Sequence, residues 1–161
     1  MCQAIILLEY SQLNKETHMC SMRLSYIETD QDFLASFTAM HALRPHIDGA
    51  SAFAAQVRRQ ATQGYRLLAA WQDDQVVALA GYRLQENLLY GRFLYVDDLV
   101  AVEDARSQGV GGQLLQALRD EARRQACAHL VLDTGLGNAL AQRFYFRQGM
   151  LSKGLHFSQK L

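Results

Sequence analysis

Three glycines crowd the segment Arg106-Ser107-Gln108-Gly109-Val110-Gly111-Gly112, which lies between a strand-like run and a helix-like run. Glycine costs a helix about 1 kcal/mol relative to alanine, and Gly111 and Gly112 fall in the first turn of that helix. Something must offset the cost. Without Cβ atoms a backbone can close around a phosphate. Free N–H groups and the positive end of the helix dipole then favour the anion. Arg106 brings a charge suited to the same task. Three phosphate-bearing ligands use such a loop. A P-loop requires Lys-Ser or Lys-Thr after the glycines, and Gln113-Leu114 stands there. A dinucleotide fingerprint requires GxGxxG, and Asp133, near the distance of its ribose-binding acid, does not rescue the glycine spacing. The pyrophosphate of coenzyme A is the third option.

Two further groups of residues carry chemistry. Asp97 and Asp98 interrupt the apolar run Tyr95–Val102. Successive strand residues face opposite sides, so one of the pair should point into a cleft in either register. A buried carboxylate with a raised pKa can act as a general base, directly or through water. Asp98 is favoured, against the alternatives of an ion pair with a nearby arginine or an acid at a bulge. Tyr145 stands in the aromatic run Phe144-Tyr145-Phe146. A tyrosine has an ordinary pKa of about 10 and a thiol about 8.5. Its hydroxyl can therefore donate to a departing thiolate, while the plain alternative is a half-buried aromatic. Asp133 ends a short strand and reads as a turn residue.

The elements that must position these groups follow from periodicity. Strands are expected at Arg23–Glu28, Tyr65–Trp71, Gln75–Leu84, Arg92–Val102, His129–Asp133 and Leu155–Lys160. Helices are expected from Asp30, as N-cap, to about Leu43, at Ser51–Thr62, from about Gly109 to Ala126, and at Asn138–Gln148. In the third helix Leu114, Leu115, Leu118 and Ala122 recur at the spacing of one buried face. Arg44-Pro45 ends the first helix, because the residue before proline disfavours helical geometry. This order predicts an α/β or α+β domain with a mixed sheet.

The spacing Arg106-x-x-Gly109-x-Gly111 resembles the Arg/Gln-x-x-Gly-x-Gly/Ala signature of the GNAT superfamily of N-acetyltransferases. Asn138-Ala-Leu-Ala141-x-x-Phe144-Tyr145-x-x-x-Gly149-Met150 resembles its second signature. The likeness covers about residues 23–161 in element order and is specific over 95–150. Glu103-Asp104 replaces the proline common after the preceding strand, and Met150 replaces the usual aromatic. The resemblance implies a mostly antiparallel central sheet flanked by helices, with two parallel strands splayed at the CoA cleft. It implies that acetyl-CoA is the co-substrate and that a primary amine attacks the thioester directly. By the same resemblance, the backbone of Val100 and Val102 would pair with the pantetheine arm. The amides of Ser107, Gln108, Gly109, Val110, Gly111 and Gly112 would hold the pyrophosphate, and Asn138 would bond the pantetheine region or simply cap its helix. Tyr145 would be the catalytic acid. His41, His46, Tyr82, Arg83 and Tyr90 fall where the acceptor site is shaped, though each also reads as structural. His156 has no assigned task. A non-catalytic acyl-CoA sensor is the alternative, and another nucleotide-binding domain is a weaker one. Dimers are common in the family, so a homodimer is an expectation of the resemblance.

Composition bounds the rest. Of 161 residues, 50% are hydrophobic and 20% charged, as in an ordinary globular domain. Lys plus Arg and Asp plus Glu both number 16, so the basic footprint of a nucleic-acid binder is missing. Arg58-Arg59 and Arg119, Arg123 and Arg124 read as solvated helix faces. Cys2, Cys20 and Cys127 are scattered, which fits a reducing cytoplasm better than a disulfide framework. The histidines show no metal-ligand spacing, so no metal is expected. Ala4–Leu8 is too short to span a membrane and lacks the flanks of a signal peptide. Residues 1–22 read as a loosely attached N-terminal extension, with Met19 and Met22 as alternative starts. Residues 23–161 read as a single acyl-CoA N-acyltransferase domain. The sequence leaves the acceptor amine unidentified, as a small molecule or a peptide.

Overall fold

A strand buried on both faces has no reason to alternate, and Leu67-Leu-Ala-Ala-Trp71 does not. It sits inside the sheet of the computed structural model, which describes residues 22–106 and 108–161. The expected extension therefore lies outside the described residues, save Met22. In chain order the elements are β1 (Met22–Tyr26), α1 (Asp30–Leu43), α2 (Gly49–Ala61), β2 (Arg66–Gln72), β3 (Gln75–Asn87) and β4 (Gly91–Ala101). A 3-10 turn at Glu103–Ala105 follows, then α3 (Val110–Arg124), β5 (His129–Leu132) and α4 (Ala139–Arg147). The strands lie in sequence order in one sheet. All neighbours pair antiparallel except β4 and β5, which are parallel.

Alternation along β2 feeds two cores. Leu67, Ala69 and Trp71 join Phe33, Met40, Phe53 and Val57 under α1 and α2. Leu68 and Ala70 join Leu114, Leu118 and Ala122 under α3. Leu114, Leu115 and Leu118 are fully buried, each contributing about 1.5–3 kcal/mol. A charge at Leu118 would break that face. At the start of α1, Thr29 rather than Asp30 is the N-cap. Its side chain accepts from the Asp32 amide while Asp32 accepts from the Thr29 amide at 2.9 Å, a complete capping box. Most of the basic residues behave as solvated faces: Arg58 pairs with Asp30, Arg123 with Asp120 and Arg124 with Glu121, whereas Arg119 is half-buried and donates to the Gln148 carbonyl after α4.

Two features position the site. The pairing of β4 with β5 stops at Val96 and Leu132, although β4 runs on to Ala101. Next, β4 carries a bulge. Gly81 of β3 pairs with Asp98 and Tyr82 with Val96, so Asp97 is the extra residue. A bulge resets the alternation of the strand.

One expected element does not form. Residues 151–161 adopt no regular structure, and Leu155 and Phe157 are exposed. Leu155 and Phe157 do alternate with polar residues, but a strand needs a ladder. Beyond Met150 no backbone hydrogen bond is made among the described residues, and the segment reaches the sheet through His156, whose Nδ1 lies 2.9 Å from Asp133.

Candidate active site

The glycine loop opens α3 at a left-handed glycine. Gly109 is the N-cap of α3 with φ of +82°, a left-handed conformation that other residues adopt at a cost of about 1–2 kcal/mol. No side chain caps the helix there. The first intrahelical bond runs from the Gln113 amide to the Gly109 carbonyl at 3.1 Å, and the amides of Gly109, Val110, Gly111 and Gly112 find no acceptor among the described residues. Buried Val110 anchors this turn. Four free donors at the positive end of a helix form an anion site. Gln108 turns its side chain to the Asp104 carbonyl at 2.5 Å, and Arg106 turns Nε to the Ala101 carbonyl at 3.3 Å. Ser107 lies outside the described residues. Gly111 and Gly112 have a second reason to lack side chains. A Cβ on either would sit 3.4 Å from α4, against the Phe144 ring or the end of Gln148. Close helix packing therefore joins anion access in offsetting the glycine cost.

Beside this loop, the strand edge departs from expectation by one residue. The Val102 amide donates to the Val77 carbonyl at 2.9 Å. In an antiparallel ladder the bonded residues alternate, so the backbone groups of Val100 and Val102 face β3. Leu99 and Ala101 face the side that β5 has left. The open edge is real, but the groups that face it belong to Leu99 and Ala101, and the Ala101 carbonyl already accepts from Arg106.

Asn138 caps α4: its Oδ1 accepts from the Ala141 amide at 3.1 Å. Tyr145 is half-buried with its ring 5.4 Å from that of Phe144. Burial alone pushes its pKa above the ordinary tyrosine value, so it stays protonated at neutral pH. Its hydroxyl makes no hydrogen bond among the described residues and remains free to donate.

The acid pair is where sequence reasoning and structure part. Strict alternation predicts one aspartate in the cleft. The bulge puts both there, lining a cleft of about 370 Å³ with Arg44, Tyr65, Arg83 and Tyr95. Asp98 Oδ1 accepts from Arg44 Nε at 2.8 Å and Oδ2 accepts from the Tyr65 hydroxyl at 2.8 Å. Asp97 accepts from Arg83 Nε at 3.0 and 3.1 Å. Burial raises the Asp97 pKa, with Arg83 opposing. Burial and then the Asp98 charge drive the Tyr65 pKa well up, so Tyr65 is a fixed donor. Gly81 makes room for it: a Cβ there would fall 2.0 Å from the Tyr65 hydroxyl oxygen.

Arg44 and Tyr65 are residues that sequence reasoning missed. Arg44 reads only as a helix stop before Pro45. The available signal was Gly81, since a glycine inside a strand marks a bulge or a close approach. Of the expected acceptor-side residues, His46 and Arg83 line the cleft. His41 packs on Phe37 and is not among the cleft-lining residues. Tyr82 is fully buried under α3, its hydroxyl 2.8 Å from that of Tyr26. Tyr90 stacks with Phe93 and His129 at the far end of the sheet. Asp133 is no turn residue; it accepts from the Tyr95 hydroxyl at 2.5 Å and meets His156. Among the described residues no three His, Cys, Asp or Glu side chains are grouped to hold a metal ion, and no helix is long and apolar enough to cross a membrane.

A mixed sheet whose one parallel pair separates, a helix start with free amides and an acid-lined cleft together define the protein as an α/β fold with a groove beside its sheet. Comparison with known families is specific: residues 27–150 match the acetyltransferase (GNAT) family. The chain belongs to the GNAT superfamily of N-acetyltransferases. It is 26% identical over 124 residues to an uncharacterized N-acetyltransferase, YhdJ, of Bacillus subtilis, covering 77% of this chain and 87% of that protein. It is 30% identical over 98 residues to the aminoalkylphosphonate N-acetyltransferase of Salmonella typhimurium, covering 60% of this chain and 62% of that one. In fold it is similar to an acetyltransferase of Trypanosoma brucei (TM-score 0.74, 17% identity, 88% of this chain and 100% of that one). It is also similar to an aminoglycoside N-acetyltransferase in complex with CoA (TM-score 0.77, 15% identity, 87% and 95%).

Proposed function

We propose that the protein uses acetyl-CoA to acetylate a primary amine of a small acceptor by direct attack. The observation that carries this is the adjacency of the free Gly109–Gly112 amides to the open β4 edge. The amides fit a pyrophosphate, and the Leu99 backbone with the Ala101 amide fits an extended amide-bearing arm by strand-like pairing. Arg106 and Gln108 flank the pyrophosphate, Asn138 borders the arm, and Ser107 keeps the pyrophosphate role that the motif implies. The gap between β4 and β5 opens where the aspartates stand, so the reacting carbon is delivered beside the cleft. There the amine attacks the thioester carbon. A C–N bond forms, the C–S bond breaks, and Tyr145 donates to the leaving sulfur. The ammonium proton passes to the acid pair, directly or through water. Asp98, the base that the sequence favours, already accepts from Arg44 and Tyr65. Asp97, whose pKa burial raises, fits the accepting role better, with Asp98 holding Arg44 and Tyr65 in place. The acceptors named for the relatives, an aminoalkylphosphonate and an aminoglycoside, are small amines of opposite charge character.

Acetyl-CoA should raise the melting temperature by linkage, by an amount set by its concentration over Kd. A panel of amines should release free thiol. Tyr145→Phe should keep the thermal shift and lower kcat by about a hundredfold or more. Failure of millimolar acetyl-CoA and CoA to stabilise the protein would overturn the reading. Unchanged turnover in Tyr145→Phe would remove that residue from the chemistry.

A further inference from the structure

Charge in the acceptor cleft is balanced in an unusual way. Arg44 and Arg83 face Asp97 and Asp98, so the formal charges cancel. Neither arginine is used up. A guanidinium carries five N–H donors. Arg83 gives only Nε to Asp97, leaving both terminal nitrogens without a partner among the described residues. It is 18% exposed, and its guanidinium carbon lies 5.4 Å from the centroid of the Tyr65 ring, within cation–π reach. Arg44 spends Nε and one terminal nitrogen on Asp98 and the Asp97 carbonyl, leaving the other free. The carboxylates retain lone pairs as well, since each oxygen accepts about two hydrogen bonds. A partly buried guanidinium with idle fork nitrogens binds oxyanions bidentately. A polycation would meet two guanidinium groups and only carboxylates that are already neutralised.

Resting on the transferase reading above, we propose that the acceptor is an amine that also bears an anionic group, a phosphonate, phosphate or carboxylate. The anion sits on the idle nitrogens of Arg83 and Arg44, and the amine sits against the carboxylates at the bulge. The cleft thereby selects zwitterionic amines over simple alkylamines and over polyamines. Gln56, Gln60, His46 and Tyr95 complete a polar lining that suits a small, hydrated ligand.

The test compares near-isosteric acceptors with the whole protein and saturating acetyl-CoA: 2-aminoethylphosphonate, β-alanine, propylamine and 1,3-diaminopropane. At least one of the two anionic amines should exceed propylamine in kcat/KM by about ten- to a hundredfold, and the diamine should fall below propylamine. Arg83→Met, which keeps the apolar stem, should flatten that ratio. A diamine or propylamine that matches the anionic amines overturns the proposal, as does an Arg83→Met protein that keeps the preference. Calorimetry with propylphosphonate, without acetyl-CoA, reads the cleft alone. Wild type should bind it and Arg83→Met should bind at least about tenfold more weakly, while no binding to wild type also overturns the proposal. Loss of acetyl-CoA stabilisation would sink the transferase reading separately. Stabilisation with a preferred diamine would sink only this one.

Discussion

The two ends of the proposed site offer charge recognition by different means. The α3 end uses backbone: four amides, one left-handed glycine and a helix dipole, all within a few consecutive residues. The acceptor end uses side chains drawn from four places: Arg44 after α1, Tyr65 before β2, Arg83 in β3 and the aspartates of β4. Backbone recognition is local, so it leaves a trace in the sequence. Side-chain recognition is assembled by the sheet, so its parts look ordinary until they meet. The backbone end is also indifferent to side-chain chemistry, which suits a ligand common to a whole family. The assembled end can change one partner at a time, which suits a variable acceptor.

If the ends are separable, damage to one should spare the other. Gly109→Val is the most severe test. A β-branched residue at φ of +82° is strained by at least about 1–2 kcal/mol, and relieving that strain turns the amides away. Acetyl-CoA affinity should fall by about a hundredfold, while calorimetric propylphosphonate binding in the cleft persists. Loss of both together would show that the ends fold as one unit. Gly81→Ala is the mirror case. Its Cβ would collide with the Tyr65 hydroxyl, displacing the ring from Asp98 at a cost of about 1–3 kcal/mol. Turnover should drop while the acetyl-CoA thermal shift per millimolar ligand is retained.

A pH profile sharpens the contrast within the acid pair. Asp97 has a raised pKa, so kcat/KM should rise with pH along a limb shifted upward from the ordinary aspartate value, and Asp97→Asn should abolish that limb. The sign for stability is opposite. The folded state holds the Asp97 proton more tightly than the unfolded chain does. Its contribution is therefore full below the unfolded pKa and lost as pH rises through the raised one. Asp97→Asn should remove this decline in urea melts across that window. The smallest effect is remote from both ends. Thr29→Ala removes the α1 cap and should cost about 1 kcal/mol in urea denaturation, leaving both ligand responses intact. Asp32, its capping partner, has a lowered pKa, chiefly through the Thr29 amide. That support is present above the unfolded carboxylate pKa and fades as pH falls through the depressed one.

Much of the fold was legible because its signals are periodic. The buried stripe of α3, the apolar run of β2 and the hairpin joining β2 to β3 each show in short windows, and the structure keeps all three. The expected strand at Leu155–Lys160 has the right alternation but no partner among the described residues, which no window can reveal. The pairing of Val100 and Val102 failed for a related reason: which backbone groups face outward depends on the bulge at Asp97.

By itself, the sequence determined the glycine loop and its place between a strand and a helix, and from these the proposed anion site at the start of α3. Those rest on backbone conformation and on contacts between near neighbours, which consecutive residues control. The tertiary structure alone decided that both aspartates share one face, that Arg44 and Arg83 hold them, and that the cleft carries charges of both signs. Those depend on strand register, where one extra residue in β4 turns a side chain from one face of the sheet to the other.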